Sequence, residues 1–227
     1  MYKRQILCTA ILLPCGDLLE KLAIRLVPDK AHAADKTVEL DQRLLATPPL
    51  ALQRCRAVAE EMAACAAGAL DAALDSFDHY TPELAERIRR DEQRCDHYED
   101  VLGTYLVKLS TQQMGAEESE EATEMLKTIG DLERISDHAV NIVEAAEEMH
   151  SKKIKFSQQA LRELPVIVNA VSEILDMSIN AFVNNDVNLA KNVEPLEDVI
   201  DQLRSALKPR HIERLRNGKC TIELGFI

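Results

Sequence analysis

Apolar residues recur by threes and fours along most of the chain, the period of helices that each bury one face. The spacing predicts a first helix over about 49–78, opened by Pro48-Pro49, since proline is tolerated in a first helical turn. Thr81-Pro82-Glu83 starts a second, to about 110, and Met114-Gly115 breaks it. A third runs over about 117–150 on a seam of Met125, Ile129, Leu132, Ile135, Ala139, Ile142 and Ala146. After Ser151-Lys152-Lys153 a further pair is predicted over about 158–184 and 187–216, ending at Asn217-Gly218. Pro165, Pro195 and Pro209 fall within that pair, and each is expected to start a helix or kink it.

One row of residues is written three times: an apolar residue, then Glu, then Asp, each four apart. It reads Ile88–Glu92–Asp96, Ile129–Glu133–Asp137 and Val193–Glu197–Asp201. A four-residue step is about one helical turn, so the members of each row share a face. Paired acids that continue a buried stripe are costly unless a cation or donor meets them. That cost nominates the six carboxylates as metal ligands. If helices 2 and 3 fold back at Met114-Gly115, Glu92 and Asp137 are equidistant from the turn, as are Asp96 and Glu133. Four carboxylates then meet at neighbouring levels. Such oxygen-rich sets suit hard or borderline divalent or trivalent ions: Fe, Mn, Mg or Zn. Acid pairs four apart are also common on solvated faces; it is recurrence at one row position that favours a metal. On helix 1 the small run Ala63, Ala64, Ala66, Ala67, Gly68 predicts close helix approach.

Sliding the sequence by 105 positions, without gaps, aligns Leu70 with Leu175, Asp71 with Asp176 and Phe77 with Phe182. It also aligns Leu84 with Leu189, Glu92 with Glu197 and Asp96 with Asp201. The counterparts of Glu133 and Asp137 would fall beyond Ile227. The expected fold is therefore all-α: tandem antiparallel three-helix bundles, the second lacking its last helix, in a chain read as a fragment at both ends. The boundaries are 49–153 for the first repeat and 154–227 for the truncated second. Residues 28–48 form a connector, and 1–27 are a start that looks like a cloning end followed by the remnant of a membrane-associated segment.

Composition agrees with a helical fold, being 46% apolar but only 4% aromatic, with 7 Gly and no Trp. A net charge of −12 argues against a nucleic-acid partner. The six cysteines show no zinc-like spacing, which points to free thiols in a reducing compartment. Residues 1–33 imitate a signal peptide, but Asp17, Glu20, Lys21 and Arg25 interrupt it. The apolar run Ile6–Cys15 falls short of the roughly 20 residues that span a bilayer.

No Gly-rich phosphate loop and no nucleophile motif is present, so no enzyme is expected. Glu147-x-x-His150 matches half of a ferritin-like di-iron motif without its second half. His138 lies one step off the third acid row. Lys208, Arg210, Arg214, Arg216 and Lys219 give the last helix a basic end that complements its C-terminus, contact with a partner or anionic lipid being the minor alternative.

The segment Asp131-Leu132-Glu133-Arg134-Ile135-Ser136-Asp137-His138-Ala139-Val140-Asn141-Ile142 resembles the "ERIGDHAxNI" motif of PhoU domains, with Ser136 in place of Gly. The resemblance spans about residues 50–227. It implies two three-helix repeats whose E/D-x-x-x-D motifs bind multinuclear metal clusters. Two further stretches, Leu40-Asp41-x-Arg43-Leu44-Leu45-x-Thr47-Pro48 and His211-Ile212-Glu213-Arg214-Leu215 through Ile222-Glu223-Leu224-Gly225-Phe226, look like the cytoplasmic tail of bacterial sodium/phosphate cotransporters.

The resemblance implies a regulatory domain on the cytoplasmic face of the bacterial plasma membrane, acting in phosphate import and homeostasis. Its partner would be a transporter membrane domain in the same full-length chain, which handles sodium and phosphate, with a homodimer left open. The alternative is a free-standing cytosolic regulator of phosphate uptake and signalling.

Overall fold

The computed structural model describes residues 38–218. The chain divides into two units, Met1–Thr37 and Val38–Ile227, and every described residue belongs to the second. The expectations for 1–37, for Cys8, Cys15, Cys220 and Lys219, and for the Ile222–Phe226 stretch lie outside the described residues.

Six α-helices follow a short 3-10 turn at Gln42–Ala46: α1 Pro48–His79, α2 Pro82–Ser110, α3 Ala116–Lys152, α4 Ala160–Asn184, α5 Val187–Ala190 and α6 Val193–Arg216. No strand occurs among the described residues. Local chemistry sets the ends. Thr81 Oγ1 accepts from Leu84 N (3.1 Å) at the start of α2, and the Glu118 carboxylate accepts from Gly115 N (2.6 Å) at the start of α3. Lys153 and Asn185 adopt left-handed conformations that end α3 and α4.

Helices α1, α2 and α3 form an antiparallel three-helix bundle in which each packs on the other two. Ala51, Ala59, Ala63, Ala66, Ala69 and Ala73 of α1 are completely inaccessible. Methyl groups on so many positions let α2, α3 and α4 all pack against this one helix. Gly68 differs from that pattern: a methyl group there would meet nothing within 4 Å, so its smallness serves no close approach. Two core clusters stack along the bundle. One surrounds Leu52, Met62, Leu102 and Leu106, the other Leu70, Ile88, Val143 and Leu175. Leu40 joins the first, and Tyr105 Oη donates to the Asp41 carbonyl (2.9 Å), so this part of the expected connector is fastened to the bundle.

On α3 the seam turns slightly from the expected one. Ser136 and Val143 are buried where Ile135 and Ile142 stay half-buried. Steps of three and four allow two adjacent stripes, and the groove between α1 and α2 selects between them. Ser136 is tolerated inside because its hydroxyl donates to the Glu133 carbonyl (2.7 Å).

The second repeat begins with α4, antiparallel to α1. Asp71 accepts from Ser172 Oγ (3.4 Å) and faces Asp176, its own counterpart under the 105-residue shift. Leu70 and its counterpart Leu175 share a cluster. Equivalent residues meeting in this way relate α1 and α4 by an approximate two-fold. Arg56 fastens the far end, donating to the Phe182 carbonyl (3.0 Å) with its guanidinium over the Phe182 ring.

The helix expected over 187–216 is split at Lys191-Asn192. Pro195 explains the break, because its ring clashes with the carbonyl four residues back, at Lys191. Pro165 and Pro209 instead lie inside α4 and α6. Among the described residues no helix takes the place on the α4–α6 hairpin that α3 takes on α1 and α2. Ala160, Leu164, Ile167, Val168, Val171 and Ile174, counterparts of fully buried α1 residues, are therefore only half-buried.

This asymmetry is testable with one pair of equivalents. Leu102→Ala, in the closed bundle, is expected to cost about 3 kcal/mol and Leu207→Ala about 1 kcal/mol or less, read from urea unfolding. Equal losses would contradict the unequal packing. Gly68→Ala is expected to add about 1 kcal/mol, since the helix gains propensity and nothing is in the way.

Candidate metal centre

The first two acid rows run out of the core. Ile88 and Ile129 are buried, Glu92 and Glu133 half-buried, Asp96 and Asp137 exposed. Helical pitch is the cause: a four-residue step overshoots one turn by about 40°, so each member rotates further toward solvent. The first and second rows sit on α2 and α3, whose hairpin brings the four carboxylates to one face.

Their electrostatics record the approach. Partial burial pushes the Glu92 carboxyl above its ordinary range, and the charges of Asp96, Asp137 and Glu133 push it further. Asp96 is raised by burial and then by Asp137 and Asp100. Glu133 is raised by burial, then by Asp137, Glu99 and Asp96, with Arg134 opposing. Glu99, absent from the sequence pattern, belongs to this face, its Oε1 lying 3.8 Å from where a Cβ on Gly130 would be. A negative cluster of this kind attracts cations, and oxygen donors in general suit hard or borderline ions. Among the described residues, no three His, Cys, Asp or Glu side chains converge closely enough as placed to ligate one ion.

The third row stands apart from this cluster. Val193 is half-buried, Glu197 and Asp201 are exposed, and Asp201 pairs with Arg204 (3.1 Å). No acidic row faces them among the described residues, since no counterpart of α3 packs on α4–α6.

Other candidates have structural employment. Glu147 pairs with Arg89 (2.5 Å), and that hydrogen bond, with a second from Tyr80, holds its carboxyl below the ordinary range. His150 stacks on Tyr80 with ring centroids 4.9 Å apart. His138 lies exposed on α3. Cys55, Cys65 and Cys95 form no disulfide. Burial pushes Cys55 up to about 12, and hydrogen bonding to Cys65 together with burial raises Cys95, so both remain protonated and poor metal ligands.

With this geometry in hand, comparison with known proteins locates the chain. The PhoU domain family matches residues 59–146 and 165–226. A Thermotoga maritima phosphate-specific transport system accessory protein, PhoU homolog 1, is 34% identical over 103 residues, 45% of this chain and 44% of that protein. An Aquifex aeolicus accessory protein, also named a PhoU homolog, is 28% identical over 176 residues, 74% of this chain and 76% of its own length. A Salmonella typhimurium protein, YjbB, whose name proposes inorganic phosphate export, is 22% identical over 211 residues, 92% of this chain but 38% of that protein. No solved structure gives a significant match.

The raised carboxyls fix a direction of pH dependence. Between the ordinary carboxylate range and the raised values the folded protein binds more protons than the unfolded chain. Stability contributed by these groups therefore falls as pH rises through that window. Glu92→Gln is expected to raise the urea midpoint of the metal-free protein at pH 7, and the gain should disappear toward pH 4. A variant less stable than wild type at pH 7 would show that the four charges do not repel.

Proposed function

The chain belongs to the PhoU family, and on that premise we propose that it is an accessory regulator of phosphate transport that works by binding, with no chemistry of its own. The observation that carries this proposal is the α2–α3 face, where Glu92, Asp96 and Glu133 are raised by burial and by the charges of neighbouring carboxylates, Asp137 among them in each case. A bound cation would relieve that repulsion and brace two helices of the bundle against each other. Glu92, Asp96, Glu133 and Asp137 would hold it, with Fe, Zn, Mn or Mg as the ion classes their oxygens suit. Glu197 and Asp201 would form a second, weaker half-site, at which Arg204 competes for Asp201.

A free-standing cytoplasmic protein is the preferred form. The relatives named as phosphate-specific transport accessory proteins support it, one of them alignable over about three-quarters of both chains. A domain carried by a membrane transporter is the second form, favoured by one observation: the match to YjbB takes in 92% of this chain within 38% of that longer protein. In that form sodium and phosphate would be handled by the attached membrane domain. Regulation of phosphate transport, in either direction, is what the family supports.

Metal analysis tests the site. After loading with Fe(II), Mn(II) or Zn(II) and desalting, the wild type should retain metal, and Glu92→Ala and Asp137→Ala should weaken binding tenfold or more with helicity unchanged. A wild type that retains no metal removes the ion from the proposal. Phosphate uptake and efflux measured with and without the gene test the regulatory role separately, and unaltered fluxes would refute it.

A further inference from the structure

The two repeats differ most at one end of the second hairpin. Under the 105-residue shift, the buried Val58, Leu106 and Leu109 of the first bundle become Glu163, His211 and Arg214, and Gly103 becomes Lys208. Charge therefore stands where the first repeat has hydrocarbon. Glu163 is the hub of it. Arg214 Nη1 donates to Glu163 Oε2 (2.5 Å) and Arg210 Nη1 to Glu163 Oε1 (3.3 Å). Burial raises the Glu163 carboxyl, but the donors from Arg214, Gln159 and Arg210 outweigh that and hold it below its ordinary range.

Arg214 is only 7% exposed, and its Nε has no hydrogen-bond partner. A buried guanidinium with an orphaned donor is costly, and an incoming acceptor would recover that cost. The residue lines a groove of about 340 Å³ between α4 and α6, at the small end of ligand sites. Phe156, Leu164, Ile167 and Leu207 make its apolar wall, while Arg204, Lys208 and His211 approach from α6. Arg204, Lys208, Arg210 and Arg214 outnumber the two carboxylates that pair with them, Glu163 and Asp201, in a chain whose net charge is −12.

We propose that this α4–α6 groove binds an amphipathic anion, a short apolar chain ending in a carboxylate or phosphate. The head group lies against Arg214 and Lys208, and the chain runs along Phe156, Leu164, Ile167 and Leu207. The basic residues at the end of α6 thus do more than complement its C-terminus, because Arg210 and Arg214 turn across to α4. The site is separate from the acid rows of α2 and α3, adjoins the third row only through the Arg204–Asp201 pair, and does not depend on metal.

Calorimetric titration of the full 227-residue chain with octyl phosphate and with decanoate, below their micelle concentrations, tests this. Both should bind, while octanol and inorganic phosphate should each bind at least about tenfold more weakly. Lys208→Gln, a change at an exposed position, and Arg214→Gln should each weaken binding about tenfold. Circular dichroism checks that each variant is folded. Absence of binding, octanol binding as well as octyl phosphate, or a folded Lys208→Gln that binds like wild type would overturn the proposal. Sedimentation with phosphatidylglycerol vesicles but not phosphatidylcholine vesicles, lost in Lys208→Gln, would assign the anion to a lipid surface. Short-chain binding without sedimentation would assign it to a free solute.

Discussion

The α-helix repeats every 3.6 residues, and this chain places its key side chains every four. The overshoot of about 40° per step carries each of the first two rows from a buried isoleucine through a half-buried glutamate to an exposed aspartate. Were the acids deeper they would demand neutralisation, and were they fully exposed water would screen them from one another. Held at the margin of the core on two antiparallel helices, they feel one another's charge while staying open to an ion from solution.

That margin exists because α1 is so thin. Its alanines let α2 and α3 close around it on one side and α4 dock on another. The α1–α4 contact joins equivalent residues, Leu70 to Leu175 and Asp71 to Asp176, so one helix serves both as the spine of the first bundle and as the seam between repeats. Facing aspartates are a cost of placing equivalents opposite each other, moderated by Ser172 donating to Asp71.

Helix α4 belongs to a hairpin on which, among the described residues, no counterpart of α3 packs. By length and composition it is apolar enough to cross a membrane, yet it packs through only part of its surface. In the first repeat the same positions lie under α2 and α3. At the end of the hairpin where hydrocarbon would be most exposed, Glu163, Lys208, His211 and Arg214 replace it. Polar substitution there makes an open groove tolerable in water and gives it a chemistry the first repeat lacks.

Helix positions, the turn at Met114-Gly115 and the 105-residue repeat were legible in the sequence because periodicity and turn chemistry act locally. The levelling of the first two acid rows was legible too, since an antiparallel hairpin follows from chain geometry alone. Four features waited for tertiary structure. Pro195, read only as a start or kink, splits the last helix once its ring meets the Lys191 carbonyl. The groove of α1 and α2 chose Ser136 and Val143 over Ile135 and Ile142. Gly68, grouped with small residues for close packing, has room for a methyl group that would meet nothing within 4 Å. Arg210 and Arg214, read as partners of their own helix end, found Glu163 on another helix. Each outcome depends on which surfaces face each other across space, and residue spacing along one helix carries no information about that.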